Sequence, residues 1–254
     1  MNAIRTTLFI AFPLLAVTHT ALADDAGKLD IMAGSQAPGK YSQGFAGHVA
    51  LGYTATTGSS DTSNLGAKLG LSYGKGKWYH VFSAEEIHAT DSGNTTAQST
   101  TADAQSDYLF TPDNYVFGHL SYSHDQFSGV ERRTSETAGY GRRLLHTDTQ
   151  TWSAQIGAGA RQERLQDNTS RSSPIVQAAT DYSYQISKNT SIGEALVAEW
   201  GTDNTRLQSA TNLKVKMVKN LALVLSYVVK HDTNVPDDTA ATNTYTMVSV
   251  DYGF

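Results

Sequence analysis

The C-terminal stretch TNTYTMVSVDYGF puts Thr244, Thr246, Val248, Val250, Tyr252 and Phe254 on every second position, with Asn243, Tyr245, Ser249, Asp251 and Gly253 between them. Side chains alternate across a strand, so a period of two predicts a strand with one apolar and one polar face. The pattern recurs along most of the chain. Phe45, Val49, Leu51 and Tyr53 alternate with His48 and Gly52, and Leu65, Leu69, Leu71 and Tyr73 alternate with Asn64, Lys68 and Ser72. Further runs lie at 102–110, 116–122, 138–144, 152–160, 176–186, 192–200, 207–217 and 221–229. With a less regular strand between Trp78 and Ala89, the count is about twelve. An even number suits a closed up-and-down barrel with both ends on one side.

The connections sort by length. Tight polar turns (GKGK at 74, TPDN at 111, HTDTQ at 146, SKNT at 187, KN at 219) alternate with longer segments near 58–63, 90–98, 126–134, 165–173, 201–205 and 232–241. Short turns on one side and longer loops on the other are the topology of an outer-membrane barrel. A soluble β-sandwich also alternates, but it packs bulky Leu, Ile and Phe on one face and does not sort its loops by side. Here the apolar face is light and rich in Ala, Gly, Val and Tyr, and the other face carries Lys, Arg, Asp and Gln. That predicts an all-β, antiparallel, transmembrane barrel with lipid outside and a wet lumen. Tyr53, Tyr73, Tyr108, Tyr122, Tyr140, Trp152, Tyr182, Trp200 and Tyr252 fall mostly near strand ends, where aromatic rings favour the headgroup level.

Composition narrows the class. The chain has 254 residues, no cysteine, 17% charged residues and a net charge of −5. Disulfides and cysteine-ligated metals are excluded, and there is no basic footprint for nucleic acid. Arg5, the apolar run LFIAFPLLAV at 8–17 and the small-residue Ala21-x-Ala23 site predict a secretory signal peptide over 1–23, cleaved after Ala23. Residues 24–43 lack a sustained period and are expected to form a flexible periplasmic segment before a barrel over 44–254.

The stretches GFAGHVALGYTATTGSSDTSNLGAKLGLSYGKGKW, YLFTPDNYVFGHLSYSHDQFSGVERRT and AGYGRRLL resemble the salt-induced outer-membrane proteins, a domain family of unknown function, over residues 44–254. The resemblance implies a monomeric outer-membrane barrel linked to salt stress. It brings no catalytic residues. The alternating end at Val248, Val250, Tyr252 and Phe254 resembles the signal that the outer-membrane barrel assembly machinery reads in its clients. That machinery, outer-membrane lipids and lipopolysaccharide are the expected partners, and no cofactor is expected.

On the inward register, Asp103, Asp107 and Asp125 stand on strands four and five, and Arg206, Lys214, Lys216 and Lys230 on strands ten and eleven. Strands six apart in a barrel of twelve lie on opposite walls, so these charges predict a transverse field across the lumen, as in porin constrictions. The competing reading pairs them with Arg161, Glu163 and Asp181 to fill a closed barrel. An enzymatic alternative rests on His119 and Ser121, which resemble the His-x-Ser pair of outer-membrane phospholipases and lipid A deacylases. Tyr122 stands where those families have Asn, and the register turns the pair inward, so the chain is expected not to be an enzyme. The scattered His48, His80, His88, His124 and His231 show no metal-ligand spacing. Glu136, Arg142 and Glu194 fall on the outward register, and the last implies either a bulge in strand nine or a shifted register. Strand three raises the same question at Glu85 and Glu86.

Overall fold

The structure, a computed structural model, describes residues 43–56, 62–125, 130–235 and 240–254. The expected signal peptide and all of the segment 24–43 except Gln43 lie outside the described residues. Gln43 bonds to the N–H (2.7 Å) and carbonyl (3.3 Å) of Gly76 in the first periplasmic turn. Twelve strands follow: β1 (Gly44–Thr56), β2 (Thr62–Lys75), β3 (Trp78–Asp91), β4 (Asn94–Leu109), β5 (Asn114–Asp125) and β6 (Val130–His146), then β7 (Gln150–Leu165), β8 (Ser170–Ser187), β9 (Thr190–Gly201), β10 (Thr205–Val218), β11 (Leu221–Asp232) and β12 (Thr242–Gly253). Each pairs antiparallel with its sequence neighbours, and β12 closes on β1. The predicted antiparallel up-and-down barrel of twelve strands is the observed fold.

The loops depart from expectation. Segments read as loops at 90–98, 126–134 and 165–173 are largely strand: β4 starts at Asn94, β6 at Val130 and β8 at Ser170. Polar residues at these strand ends lack the apolar period, yet the ladder continues, because a barrel can extend its hydrogen bonding beyond the bilayer into water. Ser92 and Gly93, both at positive φ (51° and 80°), alone turn the β3–β4 hairpin. In the β7–β8 turn, the Thr169 N–H donates to the Asp167 carboxylate (2.8 Å) and holds that carboxyl below the ordinary Asp range.

The two faces part as the alternation requires. Leu51, Tyr53, Leu65, Leu120, Ile156 and Val250 are exposed on the outside, while Gln105, Ser135, Gln155 and Gln177 are buried on the inside. Rings cluster at the periplasmic rim: Trp78 against Tyr108 (5.1 Å between centroids), Phe110 against Tyr140 (6.2 Å) and Phe45 against Phe254 (6.3 Å). Tyr53, Tyr122 and Trp200 lie exposed near the opposite strand ends. An apolar wall between two aromatic girdles matches a bilayer-spanning barrel.

Strand nine has no shift at Glu194, which pairs in register with Thr211 and Tyr182 and faces outward. Its carboxylate accepts hydrogen bonds from Ser209 (2.7 Å) and Thr211 on the same outer face. A bond to a charged acceptor contributes about 1.5–3 kcal/mol, comparable to the few kcal/mol at most that a lipid-facing carboxylate costs. Strand three follows the same rule. Glu85 points into the lumen, and outward Glu86 accepts from Thr100.

The seam between β1 and β12 is short. It runs from His48↔Gly253 to Gly52↔Ser249, whereas β1 pairs with β2 along its whole length. Two backbone bonds between Gly47 and Phe254 (2.8 and 2.9 Å) finish its periplasmic end.

Close approach of β6 and β7 sets a sharper constraint. A Cβ on Gly159 would collide with the Glu136 carbonyl, whereas one on lipid-facing Gly118 meets nothing within 4 Å. Gly159→Ala therefore lowers the temperature at which the barrel loses its folded mobility on semi-native gels, at a cost of about 1–3 kcal/mol. Gly118→Ala leaves it unchanged.

Candidate functional site

The candidate site is the lumen, because alternation delivers one polar side chain from every second residue of all twelve strands to one enclosed space. Three layers can be distinguished along its axis.

The extracellular layer is a network of ion pairs. Arg133 Nε donates to Glu163 (2.7 Å) and its Nη2 to Asp232 (2.8 Å), joining β6 to β7 and to β11. Between β6 and β11 lie four strands on one side and six on the other, so this bond crosses the mouth. Arg161 stands 3.4 Å from Glu163 and 3.6 Å from Glu199, and its Nη2 donates to the Asn204 carbonyl (2.7 Å). Asn204, in the β9–β10 loop, donates to Asp232 (2.7 Å) and accepts from Thr233 and from the Asn234 N–H (3.1 Å). One amide thus ties two extracellular loops to the strap.

The middle layer is open. A cavity there is lined by Glu85, Asp103, His119 and Ser121 on β3–β5 and by Arg206 and Lys230 on β10 and β11, among others. His119 Nε2 lies 3.3 Å from Asp103, and its Nδ1 has no partner. Lys230 Nζ sits over the Tyr245 ring at 5.3 Å.

The periplasmic layer has two halves. On one, Lys214 donates to Asp251 (2.8 Å) and His48 Nδ1 meets the other oxygen of the same carboxylate (2.8 Å), so Asp251 links β10, β12 and β1. Gly70 makes this possible, since a side chain there would occupy the His48 ring. A second cavity extends from this cluster and shares Lys68, Glu85, Ile87 and Val228 with the first. On the other half, Tyr115 and Phe117 are buried inward, and Gln105 donates to Asp107 (2.9 Å) and to Gln155 (3.3 Å).

The residues singled out from the sequence divide accordingly. Asp103, Arg206 and Lys230 meet at one cavity. Asp107 and Lys214, on strands six apart in the barrel, each bond to a neighbour on their own side. Asp125 is the last residue of β5 and Lys216 lies two residues from the end of β10, away from the central cavity. His119 and Ser121 both line that cavity, but the imidazole turns to Asp103. Val248, Val250, Tyr252 and Phe254 form the outward face of β12. Arg133, Asn204, Asp232 and the His48–Asp251 pair escaped the sequence reading. The first three fell in stretches read as loops, although Arg133 continues the period of Ser135 and Thr137.

Burial makes the Asp251 cluster costly to break. Replacing Asp251 by Asn strands the Lys214 charge, and breaking a buried pair typically costs about 3–5 kcal/mol. Urea unfolding followed by tryptophan fluorescence should register that loss for Asp251→Asn, and a much smaller one for Lys214→Met combined with Asp251→Leu.

Against known proteins, the model of the family described as "Protein of unknown function, DUF481" matches residues 49–254, and the chain belongs to that family. The "Uncharacterized protein YdiY" of Escherichia coli (strain K12) is 26% identical over 221 residues, covering 85% of each chain. Among solved structures, the COG4313 outer membrane channel from Pseudomonas putida F1 superposes with a TM-score of 0.52 at 12% identity, over 87% of this chain and all of that one. The NanC porin gives a TM-score of 0.47 at 10% identity, over 81% of this chain and 97% of that one. The channel from Pseudomonas putida shares the fold.

Proposed function

Within this family of unknown function, we propose that the chain is an outer-membrane barrel of a Gram-negative envelope that conducts small polar or charged solutes through a narrow lumen. The observation that carries this reading is the pair of adjoining cavities, which leads from the His48–Asp251 cluster up to Arg206. A filled small barrel would hold side chains there instead. The apolar exterior between two girdles supports the membrane location.

On this reading Asp103, Asp107, Asp125, Arg206, Lys214, Lys216 and Lys230 set the charge preference of the passage, and the Arg133–Asp232 strap is its constriction. On this reading the barrel does no catalysis, and His119, 3.3 Å from Asp103, belongs to the charged lining of the lumen. The precursor is exported by a signal peptide cleaved after Ala23, and the barrel works as a monomer among outer-membrane lipids and lipopolysaccharide. It binds no nucleic acid and no cofactor. The resemblance to salt-induced proteins extends the proposal to expression under salt stress.

A closed structural barrel is the second reading, favoured by Arg161, Gln177 and Asp107 at about 1% exposure. Single-channel recording of the refolded barrel in a planar bilayer separates the two. Stable conductance steps are expected, and Arg133→Gln with Asp232→Asn should enlarge them about twofold by opening the mouth. A folded barrel that stays silent in both forms overturns the channel.

Phe254 is read here as the end of the assembly signal. Its ring is exposed beside Tyr252 (6.4 Å between centroids), while its backbone pairs with Gly47. Phe254→Ser keeps the backbone bonds, so refolding in detergent should be unchanged while the heat-modifiable barrel recovered from outer-membrane fractions falls several-fold.

A further inference from the structure

The central cavity holds opposite charges that face each other without meeting. Arg206 on β10 and Lys230 on β11 line one wall, and Glu85 on β3 and Asp103 on β4 line the wall across from it. Among the described residues, Arg206, Lys230 and Glu85 form no salt bridge, and Asp103 pairs only with His119, at 3.3 Å. Nearby charges behave differently. Arg133, Arg161, Arg171 and Lys214 all reach a carboxylate within 4 Å.

The reason is geometric. Arg206 and Lys230 stand on neighbouring strands of one wall, Arg206 beside Asp232 and Glu199 in register and Lys230 beside Gln208, and Glu199 is 3.6 Å from Arg161. Asp232 is already shared by Arg133 and Asn204. On the acidic side Lys68 is the register partner of Glu85, and Asp103 leaves that wall net negative. The barrel frame holds the walls apart, and the field between them runs across the cavity that both line.

A solute with a single charge gains from one wall and is repelled by the other. A neutral solute gains only through its dipole. A small solute carrying an ammonium at one end and a carboxylate at the other satisfies both walls at once. We propose that this cavity is a transit site for small zwitterions of the amino-acid type, with the carboxylate on Arg206 and Lys230 and the ammonium on Glu85 and Asp103. The proposal rests on the channel reading and adds a solute class to it.

Glycine and glycolamide test this directly, because they are isomers of nearly equal size and only glycine is a zwitterion at neutral pH. Proteoliposome swelling with the refolded barrel should show glycine entering at least about threefold faster than glycolamide. In Arg206→Gln with Lys230→Gln, and separately in Glu85→Gln with Asp103→Asn, that ratio should fall towards one, with the heat-modifiable gel shift confirming folded protein. Equal rates in the unmodified barrel overturn the zwitterion site and leave the channel standing. A preference that survives both charge-neutral pairs also overturns it. If neither isomer enters and the bilayer is silent, the channel reading falls, and this inference falls with it.

Discussion

Everything in this molecule depends on closing β12 onto β1. In hydrocarbon, an unpaired backbone N–H or carbonyl costs several kcal/mol, so a sheet can cross a bilayer only without edges. Yet this junction has the shortest register of the twelve, from His48↔Gly253 to Gly52↔Ser249. Side chains compensate for what the ladder lacks. Asp251 binds His48 on the neighbouring strand and Lys214 two strands away, so one carboxylate draws three strands together where the chain ends meet. Met247, higher on β12, turns inward with its sulfur against Gly52 and Gly66, covering the seam from within where β1 and β12 are no longer paired.

The same two-solvent logic governs the polar groups. Outside, hydroxyls on the next strand donate to a carboxylate, as Ser209 and Thr211 do to Glu194 and Thr100 to Glu86. Inside, the lumen is too narrow for bulk water around every charge, so most charges bind one another in a chain from Glu163 through Arg133 to Asp232. Burying such pairs offsets desolvation with little surplus, so the network is better understood as setting shape and electrostatics than as a source of stability. Where partners run out, around Arg206, Lys230 and Glu85, the lumen is open instead.

Much of this was legible in the sequence because period two is a local property of a strand that faces two solvents. Faces, strand number and the outward position of Glu194 all followed from it, even where the outcome looked unfavourable. Partnering was not legible. Whether Lys214 faces Asp107 or reaches Asp251 depends on shear and side-chain reach, which no single strand encodes. Strand ends were lost for a related reason. Above the bilayer the outer face no longer needs apolar residues, so Arg133, Ser170 and Arg171 continue the ladder without the pattern that would announce them.

The division between paired and unpaired charge also places rigidity and freedom in different parts of the barrel. Seam and strap are cross-linked by side chains with two or more partners each, and shifting any one of them breaks several bonds. Asn204 couples the strap to two extracellular loops through a single amide. The unpaired charges sit one layer deeper, anchored to strands whose backbone bonds cannot open in lipid. A constriction held by side chains above charges fixed by strands can alter its aperture without altering the field behind it.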